Sequence, residues 1–391
     1  MDVKALALAE KEYIITQRHY LHRHPELSTK EVATTKHIVA ELQKMGVEVI
    51  TFPDITGCVG VIKGQQPGKT VMLRADIDAL PIQESDLSKS YASQVSGVMH
   101  ACGHDCHTAM LLGAARILSA NRKFLCGTVK LIFQMGEEIG TESRHYVEEG
   151  ALKGVDAIFG QHIWALLPAG KANFADGERM ACSDRFTVII HGKAAHGSAP
   201  HQGQDAVVAA AAVVMGLQTL ASRQNNPQNS FVLTVGMMNG GTQSNIIAEK
   251  VELVGTTRTF NREFRQKLPA MIKKIAEDVA QGYGCTVDST YFFGPAPLIN
   301  EHKVLNDLAR GAVIKIMGKE ALVPMVKQMG AEDFSVYMES TPGVFGFLGA
   351  QNKAKGICCV HHHPAFDVDE DVLPLGAGVY AQFAIDYLAK K

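Results

Sequence analysis

Three short apolar runs, at 70–74, 128–134 and 156–159, alternate with helical patterns such as the one over 108–121. Strands separated by helices in this way build βαβ units and a mostly parallel sheet. The rhythm predicts an α/β first half. Ahead of it, residues 2–45 read as helices interrupted at Pro25, with Ser28 or Thr29 able to cap the second one, TKEVATTKHIVAELQKMG, which ends at Gly46. From about Asp184 the pattern becomes strand (RFTVIIHG), helix (DAVVAAAAVVMGLQTLAS), strand (SFVLTVGMM), strand (KVELVGTTRTF), helix (EFRQKLPAMIKKIAEDVAQGYG) and strand (CTVDSTYFF). That order, βαββαβ, is the split βαβ of ferredoxin-like domains. It predicts a compact α+β domain over 184–294, inserted between a first catalytic-type segment at 1–183 and a second at 295–391. After Gly294-Pro295-Ala296-Pro297 the strand and helix alternation resumes and completes the first sheet.

A chain of 391 residues agrees with two domains, because single cores usually organise about 100–200 residues. With 38 basic and 40 acidic residues the formal net charge is -2. Such a balance gives no long-range field for gathering nucleic acid or anionic lipid, so recognition is local and the expected partner is a small molecule. The opening MDVKALALAEKEYI carries charges where a secretory leader needs an uninterrupted apolar stretch, and the apolar run 206–217 is too short to span a bilayer. A cytoplasmic protein is expected.

Eight cysteines, at 58, 102, 106, 126, 182, 285, 358 and 359, include no CxxC pair. Each thiol is therefore read as a small buried hydrophobe or a ligand rather than part of a disulfide framework. Sixteen histidines cluster at 19, 22 and 24, at 100, 104 and 107, and at 361, 362 and 363. The runs of the first half end in side chains that a divalent cation accepts: VMLR runs into Ala75-Asp76-Ile77-Asp78, TVKLIFQ into Met135-Gly136-Glu137-Glu138, and DAIFG into Gln161-His162. Sites in open α/β sheets gather at such strand ends.

Between the first two lies HACGHDCH, residues 100–107. Cys102 and His104 are two apart, so an extended backbone would put both on one side, and Gly103 lets the chain bend around an ion. Thiolate, imidazole and carboxylate suit Zn, Co, Ni or Mn better than Ca or Mg. The adjacent Glu137-Glu138 pair allows one carboxylate to ligate and the other to act as general base toward a metal-activated water. Cys106 reads as structural, since no matching pair exists elsewhere for a zinc-finger arrangement. His100 and His107 fit helix-terminal or supporting positions as well as ligation. Which of His361, His362 and His363 ligates is a question of register.

His24-Pro25-Glu26-Leu27, RADIDALP (74–81), MHACGHDCHTA (99–109), GEE (136–138), HIW (162–164), GKAAHGSAP (192–200), GGTQSNIIAEK (240–250), GTTRTF (255–260), GAEDF (330–334) and HHPAFDVDEDVLP (362–374) together resemble the M20 peptidase family. More narrowly they resemble its amidohydrolase branch of aminoacylases, hippurate hydrolases and plant auxin-conjugate hydrolases. The resemblance runs in order over nearly the whole chain. It implies two divalent metal ions (Mn, Zn, Ni or Co) held by Cys102, His104, Glu138, His162 and His362, the last chosen by the family's HxP spacing. It implies Glu137 as general base and His196, Asn245 and Arg258 as substrate-binding residues of the inserted lid. His196 then reaches the active site of a partner subunit in a homodimer, and Asp78 orients a ligand.

Two departures stand out. Cys106 occupies a position that is usually Gly, and IGTESRHYVEEG (139–150) lacks the small residues expected where the acyl pocket is lined. The expected function is hydrolysis of an N-acyl amino acid, with N-acetyl, benzoyl or a similar acyl group released. The rivals are a dipeptidase or carboxypeptidase of the same family, an N-acetyl-diaminopimelate deacetylase, and a catalytically silent metal-binding scaffold. The last has no use for a separate base beside the ligands.

Overall fold

The structure is a computed structural model and describes residues 1–389, so the last two residues of the segment expected to run to 391 lie outside the described residues. The chain forms two compact units. The first comprises Met1–Arg179, Asn300–Val326 and Asp333–Lys391, and the second Met180–Ile299 with Lys327–Glu332. The division therefore falls slightly outside the expected 184–294. It also adds a segment that linear punctuation does not reveal: Met180 bridges to Gln328, and the Ala181 N–H donates to the carbonyls of Gln328 and Gly330.

In the first unit, strands β1 (Glu48–Thr51), β2 (Cys58–Lys63), β3 (Gln66–Asp76), β4 (Cys126–Gln134), β5 (Ala157–Pro168), β6 (Ala172–Asn173) and β13 (Gly343–Gln351) form one sheet in the order β1-β2-β4-β3-β5-β13-β6. The chain crosses between units within β7 (Gly177–Met180) and β12 (Leu298–Asn300). The central strands β4, β3, β5 and β13 run parallel to one another, while β1, β2 and β6 lie antiparallel at the edges. The inner strands are buried on both faces, which is why they read as continuous apolar runs rather than as alternations. Helices His104–Ala120, Leu373–Ala389 and Lys11–Arg23 pack against one another within this unit. Parallel strands share a C-terminal edge, so 76–78 after β3 and 135–138 after β4 emerge side by side. His162 differs from expectation. It lies inside β5, which continues past 159 and pairs His162 with Phe347 of β13.

The second unit holds β8 (Asp184–His191), β9 (Phe231–Gly240), β10 (Lys250–Thr259) and β11 (Thr286–Phe292) as an antiparallel sheet in the order β11-β8-β10-β9. This is the order that βαββαβ implies. Alternate residues of β10, Val251, Leu253, Gly255, Thr257 and Thr259, are buried and the intervening ones are less so. Val251 and Leu253 share a core with residues of helices Ala206–Leu217 and Arg262–Gln281.

Candidate metal centre

The helix His104–Ala120 starts at the first imidazole of the HACGHD segment, and Gly103 precedes it at φ 93°. A left-handed residue there is one only glycine adopts cheaply. The expected extended backbone from 102 to 104 is thus replaced by a turn into a helix. The turn still brings Cys102, His104 and His162 together, each offering a donor atom within 4.8 Å of the others. Cys102, Glu138 and His362 form a second such set. The two sets share Cys102.

Each donor is aimed by a partner. His104 Nδ1 donates to Asp78 Oδ1 at 3.0 Å, which turns Nε2 toward Glu138 Oε1 at 3.9 Å and Glu137 Oε2 at 4.0 Å. His162 Nδ1 donates to the Ile163 carbonyl, which leaves Nε2 facing Cys102 Sγ at 3.6 Å. A carboxylate or carbonyl behind an imidazole is the usual way to fix tautomer and ring orientation for a metal. Asp78 therefore sits where it orients His104, and its other oxygen accepts the Glu138 N–H at 3.1 Å.

The donors suit a cation. His104 Nε2 is buried with no hydrogen-bond partner, and so is Glu138 Oε1, which lies 3.3 Å from His362 Nε2 without hydrogen-bond geometry. Burial disfavours charge on His104, yet Asp76 and Asp78 outweigh it and hold the imidazole well above its usual range. The surroundings favour positive charge at that spot. Burial, with Glu138 adding to it, pushes the Cys102 thiol far up, so a thiolate there needs a cation beside it.

The three consecutive histidines have different neighbours. His361 Nε2 accepts the Ala165 N–H at 3.0 Å and is turned inward. His363 Nδ1 accepts the Ala365 N–H at 3.0 Å. His362 stands at φ 62°, a left-handed conformation that is strained for a residue with a Cβ, and its N–H donates to the Ala101 carbonyl at 2.8 Å. That conformation delivers His362 to Glu138 and Cys102. His107 approaches Asp76 and His104, but its Nδ1 donates to Asp76 Oδ1 and its Nε2 accepts the Ile163 N–H at 2.8 Å. Both of its nitrogens are engaged, one with β3 and the other with β5. Cys106 is buried in the core, as expected of a structural thiol.

The lid residues lie in the second unit. His196 and Asn245 are exposed neighbours: His196 bridges to Ile246, and the Gly197 N–H donates to the Asn245 carbonyl at 2.7 Å. His196 Nδ1 accepts the Ser198 N–H at 3.1 Å, so its proton resides on Nε2. Arg258 is placed apart from them. It lies on β10, and its Nη1 donates to the Met329 carbonyl at 3.4 Å. His196 and Asn245 sit beyond the Lys250 end of β10, and Lys250 to Arg258 spans roughly 25 Å at a strand rise of about 3.3 Å per residue.

Residues 72–386 match peptidase family M20/M25/M40. The chain belongs to that family. An N-acetylcysteine deacetylase of Bacillus subtilis (strain 168) is 38% identical over 382 residues, 97% of this chain and 98% of its own. Thermostable carboxypeptidase 2 of Saccharolobus solfataricus is likewise 38% identical, over 396 residues, 100% of this chain and 98% of its own. The solved structure of the Bacillus subtilis YXEP protein, described as a dinuclear metal binding peptidase from the M20 family, superposes with a TM-score of 0.86 at 36% identity, covering 98% of this chain and 99% of that one. This M20 chain is a metal-dependent hydrolase.

Sequence reasoning missed a residue that braces the centre of this family member. Arg18 is fully buried and donates to Asp105 at 3.0 Å, Asp367 at 2.9 Å and Glu370 at 2.9 Å. Asp105 follows ligand candidate His104, and Asp367 follows His362 by five residues, so one guanidinium ties both loops. Burial alone would raise the Asp367 carboxyl, but Arg18 and Lys89 outweigh it and bring it down to about 2. A folded-state value below the unfolded one of about 3.9 means stability that is fully present above pH ~4 and lost as pH falls toward 2. Asp367→Asn is expected to cost about 2 kcal/mol at neutral pH and to flatten the decline of Tm below pH ~4. Thermal melts of both chains across pH 2–7 check this, and parallel declines would refute it.

Proposed function

We propose that the chain hydrolyses the amide bond of N-acyl amino acids to a carboxylic acid and a free amino acid. The observation that carries the reading is Glu137, a second carboxylate beside His104 that belongs to neither donor set built on Cys102, although it also meets His104 and Glu138 as a third possible set. Divalent ions held by Cys102, His104, Glu138, His162 and His362, of the Mn, Zn, Ni or Co class, would polarise the scissile carbonyl and acidify a water. Glu137 takes the proton of that water and returns it to the departing amine. His196, with its proton on Nε2, and Asn245, with its amide, donate to the developing oxyanion. Arg258 offers a planar fork to the substrate carboxylate.

The amide reading draws support from the N-acetylcysteine deacetylase relative, and the carboxypeptidase relative of equal identity keeps peptides in the test. Chelated protein reloaded separately with Mn, Zn, Ni and Co is expected to turn over N-acetyl or N-benzoyl amino acids. Turnover confined to dipeptides or longer peptides would sink the acyl amino acid assignment.

A homodimer through the second unit is part of the same proposal. Helix Ala206–Leu217 exposes Val207, Val208 and Met215, the last at 71%. Strand β9 is a sheet edge and exposes Met237 and Met238. An apolar helix face beside an open strand edge is what a second copy of the same chain can cover. The separation of Arg258 from His196 and Asn245 along one sheet also exceeds the reach of a small acyl amino acid, which favours His196 and Asn245 serving a partner's site. Light scattering is expected to give twice 42.2 kDa; a monomer would remove this part of the proposal.

A further inference from the structure

The short turn that carries Glu137 and Glu138 is entered through N–H groups that donate to side chains. The Met135 N–H donates to Tyr146 Oη at 2.9 Å, the Gly136 N–H to Glu31 Oε1 at 2.9 Å, and the Glu138 N–H to Asp78 Oδ2 at 3.1 Å. Gly136 is left-handed at φ 65° and opens a single 3-10 turn, Glu137–Ile139, whose backbone bonds, Ile139 N–H to the Gly136 carbonyl at 3.4 Å and Gly140 N–H to the Glu137 carbonyl at 2.8 Å, leave the N–H groups of 135, 136 and 138 to those side chains. Its placement after β4 depends on those acceptors.

Two of the three acceptors lead to the short segment 24–31. Glu31 is fully buried, and its second oxygen accepts Thr56 Oγ at 2.6 Å, so one oxygen serves the turn and the other anchors the carboxyl. Ser28 Oγ donates to Asp78 Oδ2 at 2.7 Å, on the same oxygen that receives the Glu138 N–H. The segment is itself fixed. Leu27 bridges to Ala79, the Ala79 N–H donates to the Glu26 carbonyl at 2.8 Å, and the Glu26 carboxylate accepts the Ala33 and Thr34 N–H groups of helix Val32–Lys44 at 3.1 and 2.7 Å. Glu26 thus performs the capping expected of Ser28 or Thr29, and the Ser28 hydroxyl is turned to Asp78 instead.

We propose that Ser28 and Glu31 are positioning residues for the reaction, forming a two-point clamp that sets the backbone of the Gly136–Glu138 turn and through it the carboxylates of Glu137 and Glu138. Glu31 acts directly on the residue before the base. Ser28 acts through Asp78, which orients His104 with one oxygen and the Glu138 backbone with the other. A general base displaced by about 1 Å loses roughly 10²-fold in rate, and partners one step behind a ligand are commonly worth 10–100-fold in metal affinity or activity.

The inference rests on the roles given above to Glu137 and Glu138. Its test compares Glu31→Ala, Glu31→Gln and Ser28→Ala with the wild-type chain by kinetics on N-acetyl amino acids and by calorimetric titration of the chelated protein with Mn2+ alone. Glu31→Ala is expected to lower kcat about 10–100-fold with KM within about twofold. Glu31→Gln keeps an oxygen for the Gly136 N–H and an amide for Thr56, and is expected to stay within about threefold of wild type. Ser28→Ala is expected to weaken Mn2+ binding about tenfold. Equal damage from Gln and Ala at position 31, or Ser28→Ala with wild-type kcat and Mn2+ affinity, would overturn the clamp. Should Glu31→Ala fail to fold, Glu31→Gln and Ser28→Ala decide the matter on the same criteria. A wild-type chain that binds Mn2+ and cleaves no acyl amino acid would defeat the functional reading instead, and the Mn2+ titrations would still judge the clamp.

Discussion

Glu137→Gln is expected to bind divalent metal with wild-type stoichiometry and to lose about 10²–10⁴-fold in kcat, the range that a positioned general base contributes. Gln is isosteric and cannot take a proton from water. Glu137 also meets His104 and Glu138 as a third possible donor set, but it lies outside both sets that share Cys102, and if it acts as base its loss leaves the ions in place. Cys102→Ala should fail the other way. It removes the donor common to both sets, and bound metal and turnover should fall together, beyond the 10–100-fold typical of partners one step removed. Metal analysis beside steady-state kinetics separates the two variants. If Glu137→Gln loses its metal as Cys102→Ala does, Glu137 is a ligand, and the division of labour between the paired glutamates collapses.

Mixing two inactive chains is the second large effect. If His196 serves a partner's site, His196→Ala and Glu137→Gln chains unfolded and refolded together should regain about a quarter of wild-type activity, because half the dimers are mixed and each mixed dimer holds one complete site of two. Neither variant alone should exceed a few hundredths of wild type, as befits loss of a transition-state donor or base. If His196 serves its own chain, mixing restores nothing. The experiment needs no knowledge of how the two units sit and reports directly on which chain supplies the imidazole.

Much of the candidate centre is legible in the sequence, because its candidate residues occur where local patterns end: Asp78 just after β3, Glu137 and Glu138 just after β4, and Cys102 and His104 at the mouth of a helix. The ferredoxin-like order of the second unit was equally local, a succession of periods and turns. What escaped was long-range. Ser28 has the residue type and place of a helix cap, and only the nearness of Asp78 turns it to another task. Glu31 and Arg18 carry no local sign of function, since their partners are remote in sequence. Arg18, for example, meets Asp105 and Asp367, and Glu31 meets Gly136. Composition does not separate His361 from His362 and only the family's HxP spacing selects the second; the backbone N–H of Ala165 engages the first.

Arg18 has a consequence for how the protein is made. Its partners Asp367 and Glu370, the candidate donor His362, and the strand β13 that lies between β5 and β6 all fall within residues 343–370. A nascent chain therefore emerges with Cys102, His104 and Glu138 already synthesised but without the segment that closes around them. The second unit can reach its own sheet well before that, since all four of its strands precede residue 293. During synthesis a buried guanidinium and a thiol-bearing loop must wait for residues 343–370, and loop closure over such separations is slow. Assembly of the candidate metal centre thus waits on that segment, and products truncated before it should bind metal poorly however well their second unit folds.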